Sequence, residues 1–93
     1  IDPLEVFAAI SPAKDVDAFG FSLRGALWAG KKVIAPCTPA GVMTLLNHYK
    51  IPLAGKTAVV IGRSNIVGKP MAHLLTQADM TVTVCHSKTA NIS

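Results

Sequence analysis

Two short stretches of this sequence carry side chains that could hold a phosphate group. The first, GRSNIVGKP (residues 62–70), follows a run of β-branched residues and brings Arg63 and Ser64 between two glycines. The second, CHSKT (residues 85–89), combines imidazole, hydroxyl and ammonium groups and has no carboxylate. Guanidinium and hydroxyl groups beside a helix N-terminus are typical of anion binding. The chemistry that these residues predict is therefore the recognition of a phosphorylated ligand.

Neither of the two common phosphate-binding motifs matches the first stretch. A P-loop has four residues between its glycines and a Ser or Thr after its lysine, whereas Gly62 and Gly68 lie further apart and Lys69 precedes a proline. A GxGxxG fingerprint needs glycine where Ser64 stands. What remains is a strand that ends at Gly62, a turn and a helix N-terminus whose free amides could face an anion. An ordinary βα turn with a surface arginine would have the same pattern, and this turn alone leaves both interpretations open.

The second stretch favours NADP over NAD. Proteins that bind NAD usually place Asp or Glu at this strand end, where it accepts a hydrogen bond from the ribose 2′-hydroxyl. Here His86, Ser87 and Lys88 stand there instead, and Arg63 is within reach across the two loops, so a 2′-phosphate could be held. His86 as a catalytic base is the alternative, but neither a nucleophile nor an orienting acid stands beside it.

These stretches lie in a pattern that predicts a βαβ unit. The run TAVVI (residues 57–61) is typical of a strand buried on both faces, and TVTVC (residues 81–85) of a second strand. Between them, apolar residues at helical spacing predict a helix, with Pro70 in its first turn: Val67, Met71, Leu74 and Leu75. The two strands should be parallel, with a right-handed crossover.

Upstream of this unit the elements are mostly helical. Asp2 as N-cap and Pro3 at the first helical position predict a short helix that ends near Ile10. Residues 14–21 read as extended or loop, and residues 22–30 have a weak helical period. A clearer helix follows Thr38, which we expect to be its N-cap, with one apolar face: Val42, Leu45, Leu46 and Tyr49.

Composition excludes several classes of function. With 93 residues, of which 51% are hydrophobic and 15% charged, the chain is one small domain or part of a larger one. Its net charge of +4 is spread along the chain with few aromatics, so we expect a small anionic ligand and no nucleic acid. No apolar run is long enough to span a membrane, and we expect a cytoplasmic protein. Two cysteines without CxxC spacing predict no metal site.

Four segments together resemble the bifunctional methylenetetrahydrofolate dehydrogenase/methenyltetrahydrofolate cyclohydrolase family. They are KDVDAF (14–19), PCTPAGV (36–42), GKTAVVIGRSNIVGKPMAHLL (55–75) and TVTVCHSKT (81–89). The resemblance implies oxidation of 5,10-methylenetetrahydrofolate by hydride transfer to NADP, followed by addition of water to the methenyl product to give 10-formyltetrahydrofolate. It also implies a homodimer in which two α/β domains flank a cleft.

The resemblance also assigns roles to individual residues. The dinucleotide site would use Gly62, Arg63, Ser64 and Ser87. Asp17 would face the pterin, where a carboxylate can pair with the amino-pyrimidine edge and orient the reacting carbon. Thr38 would lie near the nicotinamide, although helix capping explains it at least as well, and Asp15 is expected to be a solvated or capping carboxylate.

The sequence departs from the family pattern on the substrate side. Ala18 stands where KDVDGF has glycine, and Leu23 replaces an asparagine; a positive φ at position 18 would strain alanine by about 1 kcal/mol. The family's catalytic lysine, in a Tyr-x-x-x-Lys segment, and its C-terminal glycine-rich loop align with nothing here. We therefore expect an internal fragment that shows no dehydrogenase or cyclohydrolase turnover by itself.

The predicted fold is α/β, a Rossmann-like parallel βαβ of an NADP-binding domain preceded by the end of an α/β catalytic domain. Residues 1–35 would end the folate-binding catalytic domain, residues 36–52 would form a linking helix, and residues 53–93 would begin the NADP-binding domain. Two other functions stay open at this point. One is another NADP-dependent dehydrogenase, such as a shikimate dehydrogenase relative, and the other is a non-catalytic nucleotide-binding module.

Overall fold

The computed structural model describes residues 2–31 and 34–91. In chain order they form α1 (Pro3–Ala9), a 3₁₀ helix (Pro12–Lys14), α2 (Phe21–Trp28), α3 (Cys37–His48), β1 (Thr57–Ile61), α4 (Gly68–Gln77) and β2 (Thr81–Cys85). The chain divides into two compact units, Ile1–Cys37 and Thr38–Ser93. Within the described ranges, no helix has the length and apolar character that crossing a lipid bilayer requires.

The second unit contains a parallel βαβ. β1 and β2 pair in parallel, in a register that runs from Thr57 opposite Thr81 to Ile61 opposite Cys85. The pairing continues past the end of β1, where the Gly62 amide donates to the Cys85 carbonyl at 2.7 Å. α4 connects the strands and packs against both of them. The predicted α/β class and the Rossmann-like βαβ unit are confirmed, and both strands have the predicted bounds.

α4 packs on the strands through the apolar residues that its period predicts. Met71 and Leu75 are only 8% and 6% exposed and form the buried hydrophobic core of this unit. Pro70 is the third residue of the helix, and its side chain is buried. The first-turn amides of a helix have no partner within it, so proline removes no hydrogen bond there.

One expectation about burial, for β1, and one about a helix end, for α3, are wrong. β1 is not buried on both faces, because its residues alternate and the side chains of Val59 and Ile61 are 60% and 75% exposed. The apolar face of α3 is also largely open, with Leu45 57% exposed. α4 lies on the strands, so alternate strand residues face away from it. α3 begins at Cys37, which makes Thr38 its second residue and not its N-cap.

The first unit is held together by caps and one buried carboxylate. Asp2 caps α1 as predicted, because its side chain accepts from the Leu4 amide at 3.0 Å. Asp15 is only 5% exposed and accepts from the amides of Phe19 and Gly20 at 2.9 and 2.6 Å. It is therefore a capping carboxylate of the loop before α2, and it is not solvated.

Ala18 lies within the loop that Asp15 organises. It is 1% exposed, and its φ is +55°. This alanine therefore adopts the left-handed conformation that was considered above because KDVDGF has glycine at this position. A left-handed residue with a Cβ is strained by about 1 kcal/mol, which the surrounding hydrogen bonds must offset.

Candidate functional site

The carboxyl ends of the two parallel strands border one cavity. Its volume is about 450 Å³, and it is lined by Ile61, Gly62, Arg63, His86, Ser87 and Thr89. In parallel sheets the loops that leave neighbouring strands meet at this edge, which is where α/β proteins bind ligands. The structure thus brings Gly62, Arg63 and Ser87 together, although more than 20 positions separate the first two from the third.

Arg63 and His86 face each other across this cavity. Arg63 Nη1 lies 3.5 Å from His86 Nε2, and the His86 Nδ1 atom accepts a hydrogen bond from the Lys88 amide at 3.2 Å. Because Nδ1 is an acceptor, the neutral ring carries its proton on Nε2. Two N–H donors then point into the same space, and an anionic group placed there would accept from both.

The loop after β2 is held in shape by its own hydrogen bonds. Thr89 Oγ1 accepts from the His86 amide at 2.7 Å, and the Thr89 amide donates to the His86 carbonyl at 2.9 Å. Ser87 stands at the exposed tip of this closed turn, with its hydroxyl outside these bonds. The loop therefore presents Ser87 to the cavity from a fixed backbone.

Ser64 has a local role that the sequence did not predict. Its Oγ accepts from the amides of Val67 and Gly68, both at 3.1 Å, and its carbonyl accepts from the Lys69 amide at 2.9 Å. These three amides are therefore not free to hold an anion, contrary to the expectation that the helix start would offer them. The Ser64 hydroxyl is exposed and keeps its own proton for donation to a ligand.

Gly68 is the residue of the site that sequence reasoning missed. A Cβ added there would lie 2.6 Å from the Gly62 carbonyl oxygen, 2.7 Å from the Gly62 carbonyl carbon and 2.8 Å from the Arg63 nitrogen. All three are backbone atoms, so no side chain can swing away. Gly68 thus lets α4 approach the end of β1 closely, as the third glycine does in the dinucleotide fingerprint. Its spacing of six residues from Gly62 was the available signal.

Asp17, expected on the substrate side, and Thr38, expected near the nicotinamide, are not among the described residues that line this cavity. Asp17 is half-buried, and its Oδ1 accepts from the Cys37 amide at 2.6 Å. The thiol of Cys37 also hydrogen-bonds to Asp17, and that bond together with the nearby carboxylate charge raises the pKa of Cys37. Thr38 is exposed in the first turn of α3.

Metal-ligating side chains do not cluster in the part of the chain that the structure describes. Across residues 2–31 and 34–91, no group of three or more His, Cys, Asp or Glu side chains is arranged to hold a metal ion. Both cysteines are free thiols.

The fold and the cavity define a class of protein. A parallel βαβ with a tightly packed glycine turn and cationic side chains at the strand ends is typical of dinucleotide-binding domains. The chain belongs to the tetrahydrofolate dehydrogenase/cyclohydrolase family, whose NAD(P)-binding domain matches residues 36–93. The family resemblance predicted from the four sequence segments is thereby confirmed.

Curated relatives match over almost the entire chain. The chain is 60% identical over 89 residues to the bifunctional protein FolD of Bdellovibrio bacteriovorus, a match that covers 96% of this chain and 31% of the relative. It is 59% identical over 93 residues to FolD of Burkholderia thailandensis, covering 100% of this chain and 33% of the relative. The chain thus spans about a third of the length of these relatives.

Solved structures of the same family also match almost the entire chain. The bifunctional FolD methylenetetrahydrofolate dehydrogenase/cyclohydrolase of Campylobacter jejuni superposes with a TM-score of 0.92 at 49% identity, covering 98% of this chain and 33% of that one. The methylenetetrahydrofolate dehydrogenase-cyclohydrolase of Trypanosoma brucei, solved with NADP cofactor and an inhibitor, has a TM-score of 0.88 at 40% identity. That match covers 97% of this chain and 31% of the other.

Proposed function

We propose that this chain is the part of a methylenetetrahydrofolate dehydrogenase/methenyltetrahydrofolate cyclohydrolase that binds the 2′-phosphate of NADP. In the dehydrogenase step, 5,10-methylenetetrahydrofolate would lose a hydride to NADP and become the methenyl cation. Addition of water to that cation and loss of a proton would then give 10-formyltetrahydrofolate. The solved structures from Campylobacter jejuni and Trypanosoma brucei that the chain matches are named as methylenetetrahydrofolate dehydrogenase and cyclohydrolase.

The observation that carries the proposal is the donor set of the cavity at the strand ends. Arg63 Nη1 and His86 Nε2 converge to 3.5 Å, Ser87 and Gly62 line the same space, and none of the described residues that line it carries a carboxylate. A 2′-phosphate accepts several hydrogen bonds and carries negative charge, so it suits this set, whereas the 2′-hydroxyl of NAD would have no carboxylate to donate to.

On the substrate side we propose that Asp17 orients the pterin. Each carboxylate oxygen has two lone pairs, so the bond that Oδ1 accepts from Cys37 leaves capacity to pair with an amino-pyrimidine edge. Such a pairing fixes the ring and thereby the position of the reacting carbon. Thr38 near the nicotinamide, a homodimeric parent enzyme and a cytoplasmic location belong to the same proposal, as does the division into residues 1–35, 36–52 and 53–93.

The test compares two cations of the same turn. The 93 residues are placed in the corresponding segment of the full-length Burkholderia thailandensis relative, and NADP and NAD are titrated calorimetrically into three proteins: the graft, its Arg63→Ala variant and its Lys69→Ala variant. Arg63→Ala should weaken NADP by about ten- to a hundred-fold, the range for losing a hydrogen bond to a charged group, and should change NAD little.

Lys69→Ala is the matched control, because it removes the same charge from the first turn of α4 but does not line the cavity. It should leave the preference for NADP unchanged. Equal losses of NADP and NAD on Arg63→Ala would show that the arginine does not recognise the 2′-phosphate. An absence of binding of either cofactor to the graft would refute the proposed function as a whole.

A further inference from the structure

The carboxylate of Asp17 is anchored by a residue 20 positions further along the chain. The Cys37 amide donates to Asp17 Oδ1 at 2.6 Å, shorter than the usual N–H···O distance and typical of a bond to an ionised acceptor. Cys37 is the first residue of α3, so this amide is one that the helix itself leaves without a partner.

The side chain of the same residue makes a second contact to the same carboxylate. The Cys37 thiol hydrogen-bonds to Asp17, and this bond and the charge of Asp17 raise the pKa of the thiol. A raised pKa keeps the thiol protonated at neutral pH, where it remains a donor to the carboxylate. Cys37 is exposed and Asp17 is half-buried, so both groups are within reach of a ligand in solution.

The two contacts together restrict how the Asp17 side chain can turn. An Asp side chain held by one bond can still rotate about that bond, whereas a second donor from the same residue opposes that rotation. A group that is already in its binding orientation loses less conformational entropy when a ligand arrives. The restriction that Cys37 places on the Asp17 side chain therefore strengthens binding only of a ligand that contacts Asp17.

We propose that Cys37 is a positioning residue, whose amide and thiol together fix the Asp17 carboxylate in the orientation that receives the amino-pyrimidine edge of the reduced pterin. This inference rests on the proposed function, because it needs Asp17 to meet the folate. It adds a role for the cysteine of PCTPAGV that acts on the folate and not on the dinucleotide.

Steady-state kinetics of the grafted full-length enzyme test this role. Cys37→Ala removes the thiol and keeps the amide, so only the second contact is lost. Its KM for 5,10-methylenetetrahydrofolate should rise about three- to ten-fold, since a thiol is a weak donor, while the KM for NADP stays unchanged. Cys37→Ser restores a donor of similar size and should return the folate KM to within about two-fold of the unsubstituted graft.

A second measurement does not depend on activity. Alkylation of Cys37 by iodoacetamide is followed at pH 8 by mass spectrometry of its peptide, and the Cys85 peptide of the same sample is the internal reference. The hydrogen bond to Asp17 and then its charge raise the pKa of Cys37; Asp17→Asn removes the charge, so the alkylation rate of Cys37 should rise. Cys85 should be alkylated at the same rate in both proteins.

The outcomes separate this inference from the proposed function. An active graft in which Cys37→Ala leaves the folate KM unchanged, or raises both KM values equally, overturns the positioning role alone. The same holds if Cys37→Ser fails to restore the KM, or if Asp17→Asn leaves alkylation of Cys37 unchanged. A graft that binds NADP but does not oxidise 5,10-methylenetetrahydrofolate, while the parent relative does, overturns the proposed folate-orienting role of Asp17 and with it the positioning role of Cys37.

Discussion

Replacing Gly68 with alanine should disturb the turn between β1 and α4 (residues 62–67). The new Cβ would lie 2.6 to 2.8 Å from three backbone atoms of Gly62 and Arg63. Non-bonded carbon atoms prefer a separation of about 3.5 to 4.0 Å, so the end of β1 and the start of α4 must move apart by roughly 1 Å. Overpacking of this kind costs about 1–3 kcal/mol.

Two effects of the substitution oppose each other, and their magnitudes decide whether the free energy of unfolding rises or falls. Alanine is favoured over glycine in a helix interior by about 1 kcal/mol, but Gly68 is the first residue of α4, where that preference is weaker. The clash involves backbone on both sides and cannot be relieved by a rotamer change. We therefore expect a net loss of about 1–2 kcal/mol in the free energy of unfolding.

The matched control is Gly41→Ala in α3. A Cβ at Gly41 would meet nothing within 4 Å, so only the helix preference remains, and the chain should gain about 0.5–1 kcal/mol. Both variants are measured by urea unfolding of the 93-residue chain, followed by far-ultraviolet circular dichroism. The two substitutions should shift the midpoint in opposite directions.

Cofactor binding provides the second readout for Gly68→Ala. Moving the Gly62–Arg63 peptide displaces two residues that line the cavity, so the Kd for NADP in the grafted enzyme should rise about ten-fold, equivalent to about 1.4 kcal/mol. A Gly68→Ala protein with unchanged stability and unchanged NADP affinity would show that the close approach of α4 to the end of β1 is not needed. In that case the assignment of Gly68 to the site is wrong.

Two further substitutions test the loop before α2 and the end of α3. Asp15→Asn places an amide where the Phe19 and Gly20 amides need an acceptor, so it should lower the free energy of unfolding by about 1.5–3 kcal/mol. Asp2→Asn is its control, because asparagine caps a helix as well as aspartate does, and urea unfolding should show almost no change; equal effects at the two positions would contradict the structural role of Asp15. Lys50 is exposed and has a φ of +54°, so Lys50→Gly should stabilise the chain by up to about 1 kcal/mol in the same assay, and a loss of stability would show that this left-handed conformation is not adopted.

The sequence predicted the βαβ unit well because its signals are local. β-branched runs end at Gly62 and Cys85, and the helical period of Met71 and Leu75 points one face of α4 at the strands. The strand bounds follow from these runs alone. The faces of β1 and α3 could not be predicted in the same way, because exposure depends on which other elements cover a surface, and composition does not report that.

The candidate site residues also differ in whether their roles depend on a local pattern or on the path of the chain. Arg63, Ser64 and Ser87 could be proposed as site residues from the sequence because a cation or hydroxyl after a predicted strand end is a local pattern. The use of Ser64 Oγ as a cap for the Val67 and Gly68 amides could not be proposed in this way, since it depends on the path of the turn. A serine in a glycine turn is the same residue in the sequence whether its hydroxyl binds a ligand or accepts from backbone amides.

By itself, the sequence determined the order of elements, the parallel crossover and the chemistry available at each strand end, because propensity, periodicity and turn residues act over a few neighbouring positions. Only the tertiary structure decided that Arg63 faces His86, that Gly68 touches the backbone of Gly62, and that the Cys37 amide binds Asp17. Each of these contacts joins residues that are brought together by the way the chain folds back on itself. Their distances depend on packing, which no local pattern encodes.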